Sequence, residues 1–203
     1  MIRETDDAPV DPLDNGIVIQ LRVLNELPPA ALDLLSSSGY VAYGRYQVSK
    51  SESDQETVIR LRLEVLTQPY VKQFAGVDDW LLPRYREMPR DGFCVGAFHG
   101  EKLVGLALGE PQLWNRTLWV WEMAVTAGYQ RQGIGRQLLD ELAERARAAG
   151  LRTLTCETQS TNLPAIRFYR RVGFLLEGVD LSYYTNQDWF DGEVAVFMKR
   201  RLD

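Results

Sequence analysis

The stretch Tyr129–Leu139, "YQRQGIGRQLL", places two glycines one residue apart at the front of a helical apolar pattern. A strand-like apolar run, "RTLWVWEMAVT" (116–126), ends shortly before it. The first turn of a helix carries unpaired N–H groups and a partial positive charge, which favour an anion. Glycine lets a bulky group reach those amides, because no Cβ stands in the way. This strand, loop and helix therefore predict an anion site close to the backbone.

Two common phosphate-binding patterns do not fit this stretch. The dinucleotide pattern G-x-G-x-x-G fails because leucine replaces its third glycine, and the P-loop pattern G-x-x-x-x-G-K-[ST] is absent. What is present is Gln130 followed by Gly133 and Gly135, with Arg131 and Arg136 adding positive charge. A tight strand-to-helix loop that binds no ligand remains the alternative interpretation.

The composition is that of a soluble globular protein. The chain has 203 residues, 45% of them hydrophobic and 25% charged, and no apolar run long enough to span a bilayer. The net charge of −5 argues against nucleic-acid binding. Residues 131–171 hold eight arginines and four acidic residues, a net charge of +4 that leaves −9 for the rest. We therefore expect an anionic ligand here and a cationic one elsewhere, although solvated helix faces would explain many of the arginines.

The chain start and the cysteines bear on domain organisation and compartment. The acidic, Pro-rich start resembles no targeting peptide, so residues 1–15 are predicted to be a loose lead-in and residues 16–203 one domain. Cys94 and Cys156 lie in apolar runs, and we interpret them as reduced core residues of a cytoplasmic protein. The single histidine, His99, belongs to a hairpin turn, so no metal cofactor is expected.

Hydrophobic periodicity predicts an α/β or α+β fold in which helices cover a mixed sheet. The predicted strands are residues 16–24, 39–50, 56–66, the hairpin 93–110, 116–126, 151–158, 174–184 and 193–202. The predicted helices are residues 27–35, residues 133–149 and a segment from Asn162 to Gly173. Residues 67–80 are predicted to be irregular.

The third predicted helix carries polar groups on one face. In "NLPAIRFYRRVGF" (162–174), Asn162, either Ala165 or Ile166, and Tyr169 recur at helical spacing. Asn162 suits the N-terminal cap of this helix, and Tyr169 places a phenol two turns further on.

Together, "WEMAV", "YQRQGIG" and "ETQSTNLPAIRFYRRVGF" resemble the GNAT superfamily of acetyl-CoA-dependent N-acetyltransferases. The resemblance implies a central mixed, mostly antiparallel sheet flanked by helices, with acetyl-CoA as cosubstrate and no metal. It implies that consecutive backbone amides hold the coenzyme A diphosphate. These amides belong to Arg131, Gln132, Gly133, Ile134, Gly135 and Arg136. It also implies that the strand residues Met123, Ala124 and Val125 pair with the pantetheine arm. Asn162 and Ala165 would then contact the cofactor, and Tyr169 would lie near its sulfur.

A closer resemblance, over about residues 66–200, is to the streptothricin and nourseothricin acetyltransferases. It rests on "QPYVKQF" (68–74), "WNRTLWVWEMAV" (114–125), "LLEGVDLSYYTN" (175–186) and "GEVAVFMKRRL" (192–202). Those enzymes usually have Glu-Asp where this chain has Trp121-Glu122. Because successive strand residues face opposite ways, Glu122 is expected on the other face from position 121.

Acetyl transfer to an amine makes three chemical demands. The amine must lose its proton, the carbonyl oxygen needs a hydrogen-bond donor, and the thiolate leaves better when protonated. We predict Glu122 as the base, the backbone of residues 123–125 as the donor and Tyr169 as the general acid. The alternatives are that Glu122 is a structural carboxylate and that Tyr169 is a core aromatic residue.

The acidic remainder of the chain fits a cationic acceptor. The acidic residues expected around the substrate mouth are Asp78, Asp79, Asp180, Asp188, Asp191 and Glu193. The aromatic residues that suit a pocket are Trp114, Trp119, Trp121 and Tyr184. The resemblance favours a streptothricin-type antibiotic as the acceptor. We expect a monomer or homodimer, and the charge and the apolar runs predict no nucleic-acid or membrane partner. A protein N-terminus, a lysine or a polyamine remains an alternative acceptor, and a non-catalytic coenzyme A-binding regulator is the alternative from another class.

Overall fold

A seven-stranded sheet forms the centre of the computed structural model, which describes residues 18–74 and 76–202. The strands are β1 (Ile19–Val23), β2 (Gly39–Glu52), β3 (Thr57–Gln73), β4 (Cys94–His99), β5 (Lys102–Gln112), β6 (Thr117–Val125), β7 (Thr153–Gln159), β8 (Leu175–Asp180) and β9 (Ala195–Arg201). The α-helices are α1 (Pro29–Ser36), α2 (Leu82–Glu87), α3 (Ile134–Ala148), α4 (Leu163–Arg171) and α5 (Asp188–Asp191). β2 and β3 form a separate two-stranded hairpin.

The strand order in the large sheet is β1-β4-β5-β6-β7-β9-β8. All neighbouring pairs are antiparallel except β6 and β7, which run parallel. A parallel pair needs a long crossover, and α3 provides it between β6 and β7. The predicted mixed, mostly antiparallel sheet flanked by helices is confirmed.

Helices cover both faces of the sheet. The predicted apolar stripe of α3, which includes Leu138, Leu142 and Ala146, is buried in the larger core cluster, and α4 adds Ile166 to it. On the other face, α1 and α2 pack against the opposite side of β5 in a second cluster that contains Tyr85. The two clusters follow from the alternation of side chains along the strands.

The hairpin β2–β3 is longer than its sequence predicts. Residues 67–73, predicted to be irregular, continue β3, and this prediction is wrong. The register with β2 places residues 66–69 opposite the single residue Tyr43. Pro69 lies in this interruption, where it has no N–H to donate to a ladder. The hairpin is attached to the large sheet where the Tyr46 amide donates to the Ser160 carbonyl (2.8 Å).

The other predicted strands and helices are present, with ends shifted by a few residues. The first strand begins at Ile19, and the lead-in predicted for residues 1–15 lies outside the described residues. Cys94 and Cys156 are buried and unpaired, as predicted. His99 ends β4 at the hairpin turn, with its Nδ1 atom 2.9 Å from the Tyr129 hydroxyl. Within residues 18–74 and 76–202, no helix combines the length and the apolarity that crossing a bilayer requires.

Candidate active site

The large sheet opens between β6 and β7. These strands pair only between Thr117–Val120 and Thr153–Cys156, after which they separate. β6 remains paired with β5 as far as Val125, and β7 remains paired with β9 as far as Gln159. Each strand therefore presents one backbone edge to the opening, which we call the β6–β7 cleft. An unpaired strand edge can accept an added strand.

A β-bulge changes the direction of side chains at the cleft. The register between β6 and β5 skips Trp121, which breaks the strict alternation of faces. The Arg84 guanidinium lies 4.2 Å from the Trp121 ring centroid, and the next residue of α2, Tyr85, donates its hydroxyl to Glu122. Trp121 and Glu122 thus lie on the same side of the sheet. The expectation that they face opposite ways is wrong, because alternation holds only without a bulge.

The turn before α3 is built from left-handed backbone. Arg131 has a φ of 62° and Gly133 a φ of 82°, and Gly133 is the N-cap of α3 without a side-chain cap. The first helical bond runs from the Gln137 amide to the Gly133 carbonyl (3.0 Å). The amides of residues 134–136 precede this bond, so they have no acceptor within α3.

The predicted diphosphate-binding residues form this turn and the first residues of α3. They are Arg131, Gln132, Gly133, Ile134, Gly135 and Arg136. The Gln130 side chain fastens the turn to β6 by donating to the Val125 carbonyl (3.0 Å). Arg136 donates to the Arg171 carbonyl at the end of α4 (3.0 Å), so one of the guanidinium N–H groups already has an acceptor.

The two glycines of the turn serve different purposes. A Cβ on Gly133 would meet no atom nearer than Gln137 Nε2 at 4.0 Å, so crowding does not explain the glycine. A Cβ on Gly135 would lie 3.1 Å from the Phe168 ring. Gly135 therefore allows α3 to pack closely against α4, and the left-handed backbone accounts for Gly133.

The predicted polar residues of α4 lie at its N-terminal cap and on its buried face. Asn162 Oδ1 accepts the Ala165 amide (3.2 Å), which confirms the predicted helix cap. Tyr169 is 7% exposed, and its hydroxyl lies beside the thiol of Cys156, the last residue of β7 that pairs with β6. Burial raises the pKa of Tyr169 well above its ordinary value, with further contributions from Cys156, Glu122 and Glu157. The phenol is thus protonated at neutral pH.

Two carboxylates stand on opposite sides of the cleft. Glu122 lies on β6, and burial raises its pKa. Glu157 lies on β7 immediately after the paired segment, and it accepts the Tyr184 hydroxyl. Burial raises the pKa of Glu157 to about 7. Sequence reasoning missed Glu157; its signal was an acidic residue near the end of a buried strand, just before the Asn162 helix cap.

The other predicted acidic residues have separate roles. Asp180 accepts the Ser182 amide (2.9 Å), and Asp188 accepts the Tyr184 and Thr185 amides, so both stabilise turns. Asp78, Asp79 and Asp191 are exposed on the surface. Glu193 neither stabilises a turn nor lies exposed on the surface, since its carboxylate binds the Tyr70 and Lys72 side chains of the β2–β3 hairpin.

A row of aromatic rings extends from the bulge across the sheet. The Trp119 ring centroid lies 6.0 Å from that of Trp121 and 5.9 Å from that of Phe197. Tyr184 reaches Glu157 at the other end of the row. Trp114, by contrast, is 84% exposed in the turn between β5 and β6. Three of the four aromatic residues predicted for a pocket therefore lie near the cleft.

The comparison with protein families agrees with this geometry. Residues 60–174, more than half of the chain, match the acetyltransferase (GNAT) family, and the chain belongs to that family. Among curated proteins it is similar to the streptothricin acetyltransferase of Streptomyces lavendulae, with 36% identity over 96 residues that cover 47% of this chain and 50% of that protein. The Escherichia coli streptothricin acetyltransferase is 28% identical over 129 residues, 64% of this chain and 69% of that protein. The chain thus matches only half the length of the Streptomyces protein.

Two solved structures share the fold along almost their whole length. The crystal structure of nourseothricin acetyltransferase superposes with a TM-score of 0.70 at 24% identity, covering 91% of this chain and 99% of that one. A Bacillus anthracis protein solved in complex with acetyl coenzyme A gives a TM-score of 0.68 at 20% identity, covering 92% and 99%. At these identities the likeness establishes the fold.

Proposed function

We propose that this protein transfers the acetyl group of acetyl-CoA to a primary amine of a small cationic acceptor, and that streptothricin-type antibiotics are its acceptors. The observation that carries this proposal is the β6–β7 cleft, with a protonated Tyr169 at its base and open helix amides beside it. The similarity to two proteins named streptothricin acetyltransferase supports the acceptor class. If acetylation of its amine inactivates the antibiotic, this protein confers resistance to that antibiotic.

The residues around the cleft fit coenzyme A. The open amides of residues 134–136 suit a diphosphate, and the backbone edge of residues 123–125 suits the amide-rich pantetheine arm. The Ile134 side chain is buried and the Asn162 side chain caps α4, so these two residues would contribute mainly through their backbone. When bound, acetyl-CoA supplies the activated acetyl thioester.

The proton transfers can be divided among three side chains. Tyr169 holds its proton at neutral pH and would donate it to the departing sulfur. Glu157, whose pKa of about 7 matches the working range of a base, would accept the proton of the amine directly or through water. Glu122, which already accepts the Tyr85 hydroxyl, is the second candidate for the base. Both carboxylates also favour a cationic acceptor.

One relative favours a second candidate function. The chain is 34% identical over 87 residues, 43% of its length and 57% of that protein, to the [ribosomal protein bS18]-alanine N-acetyltransferase of Escherichia coli K12. Acetylation of a protein N-terminus is therefore the alternative. A coenzyme A-binding regulator without turnover is a further alternative, since Trp121 stands where the antibiotic enzymes usually have an acidic residue.

An acceptor panel separates these functions. Purified protein is incubated with acetyl-CoA and one amine at a time: streptothricin, spermidine, free lysine or an N-terminal peptide of bS18. We expect thiol release to be fastest with streptothricin. Release with the peptide alone would favour the second function, and a regulator would release no thiol although acetyl-CoA raised its Tm.

A further inference from the structure

Two segments that the cofactor site does not use meet at Glu193. Tyr70 and Lys72 of "QPYVKQF" both bind the Glu193 carboxylate: the Tyr70 hydroxyl lies 3.1 Å from Oε2, and the Lys72 ammonium pairs with Oε1. The Thr161 hydroxyl donates to Oε2 as well (2.8 Å). Glu193 thus has one cationic partner and two hydroxyl partners.

This ion pair is partly shielded from water. The Lys72 side chain is 28% exposed and the Glu193 side chain 20%. Charges shielded in this way act on their neighbours over longer distances than fully exposed charges do. Lys72 and Glu193 can therefore influence titratable groups that they do not touch.

One such group in the proposed reaction is Glu157. Glu157 pairs with Phe197 and Gln159 with Ala195, and Thr161 donates to Glu193 just beyond these pairs. Glu193 therefore lies four residues along from Glu157, on the same face of β7 and β9.

Burial has the largest effect on the pKa of Glu157 and raises it, the Tyr184 hydroxyl lowers it and Glu122 raises it. The smaller effects of Lys72 and Glu193 have opposite signs, because Lys72 lowers this pKa and Glu193 raises it. The titratable groups whose charges act on Glu157, or on which its charge acts, come from every neighbouring element: Glu122 of β6, Cys156 of β7, Tyr169 of α4, Tyr183 and Tyr184 after β8, Lys72 of β3 and Glu193 before β9.

We propose that Lys72 and Glu193 form a charge-balanced pair on the face of the sheet that carries Glu157, and that Lys72 is a positioning residue for the proton transfer of the reaction. This inference rests on the proposed function, in which Glu157 accepts the proton of the amine. The hairpin β2–β3 thereby influences the reaction without touching the substrate, because its Lys72 ammonium balances the charge of Glu193.

The opposite signs of the two charges give the proposal a distinctive signature. Lys72→Met leaves the Glu193 charge unbalanced, which disfavours ionised Glu157 and moves the acid limb of the pH profile upward. Glu193→Gln leaves the Lys72 charge unbalanced and moves the same limb downward. The double variant removes both charges, so its limb returns close to that of the wild type. A purely structural pair would lose activity without opposite shifts.

The experiment measures kcat/KM against pH with acetyl-CoA and streptothricin. We expect shifts of about half a pH unit, upward for Lys72→Met and downward for Glu193→Gln, and a wild-type profile for the control Lys72→Arg. The titration of the acceptor amine is common to all variants, so differences between them report on the protein. NMR titration of the Glu157 carboxyl carbon, assigned by its loss in Glu157→Gln, gives the same comparison without an acceptor.

Shifts in the same direction, or no shift in either single variant, would overturn the proposal. If Lys72→Met does not fold, Glu193→Gln alone must still move the limb downward. Glu157→Gln separates this inference from the proposed function. Wild-type turnover in Glu157→Gln refutes Glu157 as the base, whereas lost turnover together with unmoved limbs in the charge variants refutes only the role of Lys72.

Discussion

Tyr169 lies beneath the β6–β7 cleft with its hydroxyl beside Cys156, so removing that hydroxyl tests the proton donor. Tyr169→Phe keeps the buried ring, and we expect kcat to fall by roughly 10²-fold or more while the Kd of acetyl-CoA stays unchanged. Steady-state kinetics and calorimetric titration measure the two quantities. Tyr43→Phe is the matched control, because Tyr43 is 70% exposed on the β2–β3 hairpin. An unchanged kcat in Tyr169→Phe would leave Tyr169 as a core aromatic residue.

Glu157 predicts how activity depends on pH. A base must be deprotonated, and burial raises the pKa of Glu157 to about 7. We therefore expect kcat/KM to rise as pH increases through about 7, and this limb to be absent from the residual activity of Glu157→Gln. A limb that persists in Glu157→Gln would assign the ionisation to another group, with Glu122 as the first candidate.

The same carboxyl predicts how stability depends on pH. A raised pKa means that the folded state binds the proton more tightly than the unfolded state, so stability falls as pH rises from the ordinary pKa toward 7. Glu157→Gln removes the charge that burial penalises. Its Tm should therefore exceed that of the wild type at pH 8 and approach it at pH 5, measured by thermal melts. An equal difference at both pH values would contradict the buried, titrating carboxyl.

A glycine with left-handed backbone stands at each end of α3, and the two form a matched pair for mutation. Gly133 and Gly150 have φ values of 82° and 73° at the two ends of this helix, and a Cβ on Gly150 would meet nothing within 4 Å. Alanine at either position should cost about 1 kcal/mol of stability, because its backbone is left-handed. Only Gly133→Ala should also weaken acetyl-CoA binding, by several-fold in calorimetric titration. Equal weakening in Gly150→Ala would mean that strain, and not the open amides, explains the effect.

Features written in short stretches of sequence were predictable. The stripe of α3, its end near Gly150 and the Asn162 cap of α4 depend on neighbouring residues, which the sequence displays directly. The bulge at Trp121 was not predictable, because it depends on the register of β6 against β5. The continuation of β3 through Pro69 depends in the same way on pairing with β2.

The candidate site divides along the same line. Tyr169 and the turn around Gly133 were found from motifs, whereas Glu157 became visible only once β6 and β7 were seen to separate beside it. The contacts of Tyr85 with Glu122 and of Lys72 with Glu193 join residues far apart in the chain. No local sequence pattern predicts such contacts, because only tertiary packing brings the partners together.

At the scale of the whole molecule, positive and negative side chains are concentrated in different regions, which suits one anionic and one cationic ligand. The arginine-rich segment 131–171 contains the turn whose amides suit a diphosphate, and the carboxylates Glu122, Glu157 and Glu193 lie in or near the cleft. The β2–β3 hairpin and α2 each supply side chains to these carboxylates. This arrangement supports an anionic cosubstrate that meets a cationic acceptor between β6 and β7.

The most direct test is mass spectrometry of streptothricin after incubation with the protein and acetyl-CoA. The proposed function predicts a product that carries one added acetyl group on an amine, formed together with an equal amount of free coenzyme A. Tyr169→Phe, assayed in parallel, should form far less of it. Unmodified streptothricin, under conditions where acetyl-CoA raises the Tm of the protein, would contradict the proposed acceptor.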